Sequence, residues 1–246
     1  MKQNKYDDQN FFNAYEKMPR SVRGLEGAGE WHILEKLLPE MRNSNVLDLG
    51  CGFGWHCLYA REQGASSVTG VDLSEKMLRK AREMTDDPFI TYIKMPIEDI
   101  HFQDSQFNVV VSSLALHYIK SFKSISKKVY DCLKPKGSFV FSVEHPIFTS
   151  RDEQDWYYNK QGKRLHWPVD NYQVEGVRET TFLTENVTKY HRTISSYIND
   201  LIDTGFIIRA VNESVPSNEM LKSDPEMKDE TLRPMFLLIS AEKTIK

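Results

Sequence analysis

Val46-Leu47-Asp48-Leu49-Gly50-Cys51-Gly52-Phe53-Gly54 decides the reading of this 246-residue chain: an apolar run carrying one acid, then glycine at three alternate positions. The pattern predicts a buried strand that passes into a tight turn. Glycines there permit positive φ and let a ligand approach the backbone closely. A second run, Ser67-Val68-Thr69-Gly70-Val71-Asp72, also ends in an acid and puts a carboxylate at the tip of a neighbouring strand.

Working outward, strands and helices alternate. The first strand spans Asn45 to Leu49, with a helix from about Gly54 to Gln63 that Gly64 can cap. The second strand is Val68 to Asp72, and Ser74 is the N-cap of a helix through Met84. A third strand covers about Phe89 to Lys94, and a fourth, Phe107 to Ser113, is a continuous apolar run as expected when both faces are covered. A helix from about Ser121 to Leu133, a turn at Lys134-Pro135-Lys136-Gly137 and a fifth strand at Ser138 to Val143 follow. Residues 146 to 187 then turn polar and aromatic, with Trp156, Tyr157, Tyr158, Trp167 and Tyr172. A helix from Thr193 to Asp203 ends at Gly205, and strands at Phe206 to Val211 and Met235 to Ser240 could finish the sheet. Such alternation predicts an α/β, doubly wound, mainly parallel sheet with helices on both faces. Its ligands bind outside the carboxyl ends of the strands.

Bulk properties narrow the function. A hydrophobic share of 40% and a charged share of 27% are ordinary for a globular protein, and a net charge of −3 provides no global basic field for nucleic acid or anionic membrane. Cys51, Cys57 and Cys132 form no CxxC pair and no zinc-like cluster with histidine; so sparse a count fits a reducing cytoplasm. The polar start of the chain is unlike a signal peptide, and no apolar run approaches a membrane span.

The dinucleotide pattern G-x-G-x-x-G directs a helix N-terminus at a pyrophosphate. Here Trp55 stands where its third glycine would be, and Gly54 comes one position early. Asp48, just before the loop, would repel a pyrophosphate but attract an ammonium group. S-adenosylmethionine offers an ammonium, a sulfonium and a ribose diol without a phosphate, and Asp72 can accept hydrogen bonds from both ribose hydroxyls.

Asp48-Leu49-Gly50-Cys51-Gly52-Phe53-Gly54, Gly70-Val71-Asp72-Leu73-Ser74, Ser112-Ser113-Leu114-Ala115-Leu116-His117 and Leu133-Lys134-Pro135-Lys136-Gly137 resemble the successive motifs of class I S-adenosylmethionine-dependent methyltransferases. The nearest group is type 11, which includes small-molecule methyltransferases of quinone and biotin synthesis. The resemblance covers about residues 44 to 145 and implies a Rossmann-like, seven-stranded sheet with a reversed last strand. It implies S-adenosylmethionine as cofactor and S-adenosylhomocysteine as product. Gly50, Cys51, Gly52 and the adjoining backbone would cradle the methionine part, and Asp48 would hold its ammonium, directly or through water. Asp72 would bind the ribose, Leu73 would pack on the adenine, Met77 would also belong to the cofactor site, Ile97 would meet the adenine edge through its backbone with Glu98 nearby, and Ser113 and Leu114 would lie under the sulfonium. Pro96 departs from the pattern, since many relatives carry an acid there; Glu98 or Asp99 is the substitute.

Displacement at a sulfonium needs no metal, and alignment can supply much of the rate. A hydroxyl or protonated amine acceptor also needs a base, for which His117, His145 and His191 are the candidates. Glu144 and His145, directly after the fifth strand, should point toward the crevice. Tyr15, Arg20, Glu144, Tyr190 and Arg192 are the candidate substrate contacts. Four units are expected: an N-terminal helical lid segment (1–44), the cofactor-binding core (45–145), a substrate-side insert after strand five (146–192), and a C-terminal helix and strands completing the sheet (193–246). The expected acceptor is a small molecule, with nucleic acid disfavoured, membrane excluded and a homodimer allowed. RNA or protein methylation, and cofactor binding without catalysis, are the competing readings.

Overall fold

In the computed structural model, which describes residues 3–223 and 225–245, the N-terminal segment forms α1 (Gln9–Tyr15), α2 (Pro19–Val22) and α3 (Trp31–Leu37). Then come β1 (Asn45–Leu49), α4 (Trp55–Glu62), β2 (Ser67–Asp72), α5 (Glu75–Glu83), β3 (Ile90–Lys94), β4 (Phe107–Ser113), α6 (Phe122–Cys132) and β5 (Leu133–Glu144). The insert holds α7 (Pro146–Thr149) and two hairpins, β6 (Tyr157–Tyr158) with β7 (Arg164–His166) and β8 (Gly176–Phe182) with β9 (Thr184–His191). The chain ends with α8 (Ile194–Thr204), β10 (Phe206–Glu213), α9 (Asn218–Ser223) and β11 (Phe236–Lys243).

The seven-stranded sheet has the order β3-β2-β1-β4-β5-β11-β10. Strands β1 to β5 pair in parallel, whereas β11 runs antiparallel to both β5 and β10. Order reverses between β1 and β4, so the carboxyl ends of these strands open the crevice that such sheets use for ligands. The central strands are closed on both faces. Leu47, Leu49, Val110 and Phe141 face the α6 and α8 side; Val46, Val68, Val109 and Val111 face α4 and α5. On the latter face, Leu34 of α3 packs on Val140 and Leu238.

Local chemistry accounts for the boundaries. The Ser74 hydroxyl accepts the Met77 N–H at 3.1 Å, Ser121 and Thr193 cap α6 and α8 in the same way, and Gly205 at φ +108° ends α8 in the left-handed form favoured by glycine. One expectation changes. The expected turn at Lys134-Pro135-Lys136-Gly137 is a bulge inside β5: Leu133 pairs with Phe107 and Ser138 with Val109, and Lys136 takes φ +63°. The sequence reading also did not resolve β8 and β9 within the insert.

Candidate active site

The turn after β1 follows from its glycines. Gly50 and Gly54 hold φ of +77° and +80°, and a Cβ on either would collide with Ala115 Cβ at 2.4 Å or Tyr92 Oη at 2.2 Å. Gly52, at φ +53°, would meet nothing within 4 Å. The Gly50 and Cys51 N–H groups both donate to the Val71 carbonyl, and Gly52 N–H donates to Asp72 Oδ2 at 2.9 Å. With these loop donors committed to the end of β2, the turn is poorly suited to a pyrophosphate.

Asp72 receives Ser74 N–H on its other oxygen at 2.8 Å. Burial raises its pKa, and the two N–H groups oppose that rise. Each oxygen keeps a lone pair for a ligand hydroxyl. At the tip of β4, Leu114 adopts φ +51° and donates its N–H to Ser142 O and Oγ. Strain of this kind in a residue with a side chain costs about 1–3 kcal/mol and tends to mark functional turns.

These groups open into a cavity of about 890 Å³. Gly50, Cys51, Gly52, Asp72, Leu73, Met77, Ile97, Glu98, Ser113 and Leu114 all line it, as do His117, Tyr15, Arg20, Glu144 and Tyr190. Asp48 does not. It is buried behind the loop, Cys57 Sγ donates to its Oδ2 at 3.4 Å, and its Oδ1 is buried without a partner. Burial first, then the Asp72 charge, pushes its pKa up to about 7.

The histidines correct the sequence reading. His145 and His191 are buried outside the cavity wall. His145 Nδ1 accepts the Ile147 N–H and Nε2 meets Glu213 Oε1 at 2.9 Å, so the ring caps α7. His191 is held between Thr149 Oγ1 and the Tyr172 carbonyl, both at 2.9 Å. Arg192 likewise lies outside the wall and donates to the Ile119 and Tyr190 carbonyls. His117 faces the cavity, but its Nδ1 accepts the Glu144 N–H at 3.3 Å. The neutral ring must therefore carry its hydrogen on Nε2, which makes it a donor rather than a base. Burial pushes its pKa down to about 4, so it stays neutral at physiological pH.

Sequence reading missed Lys189, Gln154 and Glu30. Lys189 Nζ, fully buried in β9, donates to Glu144 Oε1 at 2.6 Å and Gln154 Oε1 at 2.9 Å. Burial works against the Glu144 charge, but Lys189, with smaller contributions from His117 and Gln154, holds the carboxyl below its usual range. Among the described residues, Glu144 Oε2 has only a long 3.5 Å contact from Gln154. Glu30, at the N-terminus of α3, accepts Arg20 Nη2 at 2.9 Å and Ser113 Oγ at 2.8 Å on Oε1. The signal for Lys189 was its place in the period-two series Val187, Lys189, His191, all buried. Nothing local marks Glu30.

Several features of the wall fit S-adenosylmethionine. Gly52 leaves open space at the turn, Asp72 offers two acceptor oxygens, and Leu73, Met77 and Ile97 give the cavity an apolar lining.

The comparisons agree with this geometry. A methyltransferase domain model matches residues 47–141. A candidate S-adenosylmethionine-dependent methyltransferase from Listeria monocytogenes has a solved structure 56% identical to this chain, with TM-score 0.86, covering 90% of this chain and 100% of that one. The S-adenosylmethionine-dependent methyltransferase of Mesorhizobium loti is 44% identical, with TM-score 0.84 and coverage of 89% and 100%. The malonyl-[acyl-carrier protein] O-methyltransferase of Enterobacter lignolyticus is 36% identical over 106 residues, which is 43% of this chain and 41% of that protein. The chain belongs to the class I S-adenosylmethionine-dependent methyltransferases, and S-adenosylmethionine is its methyl donor.

Proposed function

We propose that the chain methylates a small molecule held in the same cavity as the donor. The observation that carries this reading is the roof. Side chains drawn from residues 3–30, from the β8–β9 hairpin, and from residues 214–223 and 227–236 contribute to the cavity wall. A volume of about 890 Å³ suits two small molecules, since ligand pockets span about 300–1,000 Å³. Residues 1–44 act as a lid, 45–145 as the donor-binding core, 146–192 as the acceptor-side insert, and 193–246 complete the sheet.

S-adenosylmethionine supplies a methyl group already activated on a sulfonium. The chain's work is placement. Asp72 would hold the ribose hydroxyls, Leu73 and Met77 would hold the adenosine, Ile97 and Glu98 would serve the adenine edge, and Ser113 and Leu114 would serve the methionine end. Glu144 Oε2 accepts the N–H or O–H of the acceptor, and His117 Nε2–H donates to it. Tyr15 and Tyr190 shape the acceptor space, whose walls also include Phe11, Phe148 and Phe182. Alignment of acceptor and methyl group is the main source of rate in such a reaction.

The test is transfer of labelled methyl groups from S-adenosylmethionine into a cell extract separated into metabolite, RNA and protein fractions. Label is expected in the metabolite fraction. Label confined to RNA or protein overturns the reading.

A further inference from the structure

Every residue of β6 and β7 is exposed, and a two-stranded hairpin without a buried face is marginal by itself. Its anchor is the pair of tryptophans at its base. Trp156 immediately precedes β6 and Trp167 immediately follows β7, with ring centroids 5.4 Å apart and planes at 89°. Phe148 of α7 stacks on Trp167 at 5.0 Å, and the Trp167 Nε1–H donates to the Ile147 carbonyl at 3.2 Å.

Arg233 packs among these three rings. Its guanidinium carbon lies 3.9 Å from the Trp167 centroid, 4.9 Å from Phe148 and 5.2 Å from Trp156. Leu232 beside it is 70% exposed while Arg233 is 7% exposed, so the chain turns the cation inward and leaves the aliphatic side chain in water. Nη1 and Nη2 both donate to the Glu230 carboxylate, at 2.7 and 3.3 Å. A planar guanidinium can stack on ring faces while its edge holds a carboxylate, which fixes both partners. A second link joins the same two segments: Arg164 of β7 donates to Asp229 Oδ2 at 2.6 Å.

Trp156, Trp167 and Arg233 all lie outside the cavity wall, whereas Phe148 and Glu230 line it. Phe148 follows β5 and Glu230 precedes β11, on the flank of the sheet opposite to β2 and Asp72. We propose that Arg233 is a positioning residue for the methyl acceptor: from behind the wall, its aromatic cage and its ion pair fix Phe148 and Glu230 as one side of the acceptor space and tie that side to the β6–β7 hairpin. The wall so formed presents a ring face and a carboxylate whose oxygens keep lone pairs to spare. It suits an acceptor with a planar apolar part and an N–H or O–H group.

This rests on the acceptor sharing the donor's cavity, and one assay separates the two. Labelled S-adenosylmethionine at saturation is incubated with a dilution series of the metabolite fraction of a cell extract, and S-adenosylhomocysteine affinity is measured by calorimetry. Arg233→Met should raise the amount of extract needed for half-maximal transfer about tenfold or more, since small displacements of positioning groups are costly. Its S-adenosylhomocysteine affinity should stay within about twofold. Arg233→Lys keeps the charge but loses the planar stack, and should recover part of the shift. Trp167→Leu removes the nearest cage wall and leaves the Arg233–Glu230 pair intact; it should reproduce the shift, and it carries the test where Arg233→Met fails to fold. Unmoved half-saturation in the folded variants overturns the proposal, as does a loss of S-adenosylhomocysteine affinity by the same factor. Absence of wild-type transfer into metabolites overturns the small-molecule reading, and this proposal with it.

Discussion

On the β1–β2 side of the cavity the wall is mostly backbone: a turn of three positive-φ glycines, with the Gly50 N–H bonded to Val71, the Gly52 N–H to Asp72 and the Gly54 N–H to the Cys51 carbonyl. On the β8–β9 side it is mostly side chain. Lys189, Glu144 and Gln154 meet in a buried, charge-paired knot, with Thr180 donating to Gln154 at 3.3 Å. The first construction fixes a shape that a single substitution destroys. The second fixes an electrostatic balance, which another set of side chains could supply for another acceptor. A common donor beside variable acceptors is the arrangement that such a division favours.

The comparison breaks most visibly at Lys189. Removing one partner of a buried ion pair leaves an uncompensated charge, at a cost of about 3–5 kcal/mol. Lys189→Met should therefore lower the melting temperature strongly while S-adenosylhomocysteine affinity stays within about twofold, and Glu144→Gln in the same protein should restore part of the loss. A large loss of donor affinity would show that the two walls are one unit. Gly50→Ala tests the opposite wall. Its Cβ would sit 2.4 Å from Ala115 Cβ on a φ of +77°. Strain and overpacking together should cost about 2–4 kcal/mol. Because the strain falls in the turn itself, donor binding should drop with stability, and calorimetry showing wild-type affinity would contradict a backbone-built wall.

Asp72→Asn is finer. The amide can still accept one backbone N–H, so the fold should survive. Donor affinity should fall by about 1.5–3 kcal/mol, the worth of a hydrogen bond to a charged group. An unchanged dissociation constant would remove Asp72 from the ribose.

The same contrast explains what the sequence made legible. Glycines at alternate positions and an acid at the end of an apolar run are local demands of a backbone-built turn, so nine consecutive residues announce it. The strand order, including the reversed β11, came with the family resemblance that those residues carry. The side-chain part of the wall is assembled from distant segments: Glu144 meets Lys189 and Gln154 only after folding, and Arg20, Glu30 and Ser113 join three separate elements. The inner face of the hairpin is Arg178, Thr180, Val187, Lys189 and His191, too polar to show the apolar alternation that marks a strand. His145 and His191 were misplaced for a related reason. Position after a strand, as for His145, or just before a helix, as for His191, says where the backbone points, not which neighbour claims the ring.

Asp48 lies at the seam between the two kinds of wall and gives the smallest measurable effect. Its pKa is about 7 in the fold against 3.8 ordinarily, so the folded protein binds the proton more tightly than the unfolded chain. Its contribution to stability is fully present below pH 4 and is lost as pH rises through 7; Asp48→Asn should flatten that slope in melts run from pH 4 to 8. A cationic ligand arriving on the far side of the glycine turn favours the ionised carboxylate and lowers this pKa. With its pKa raised to about 7, part of the Asp48 population holds a proton at neutral pH, so binding of S-adenosylmethionine should release a fraction of a proton. Calorimetry in buffers of different ionisation enthalpy measures that number directly. Release in the wild type and none in Asp48→Asn would make Asp48 a charge sensor behind the turn. No release in either would mean that the donor's positive charge is fully neutralised on the cavity side of the turn.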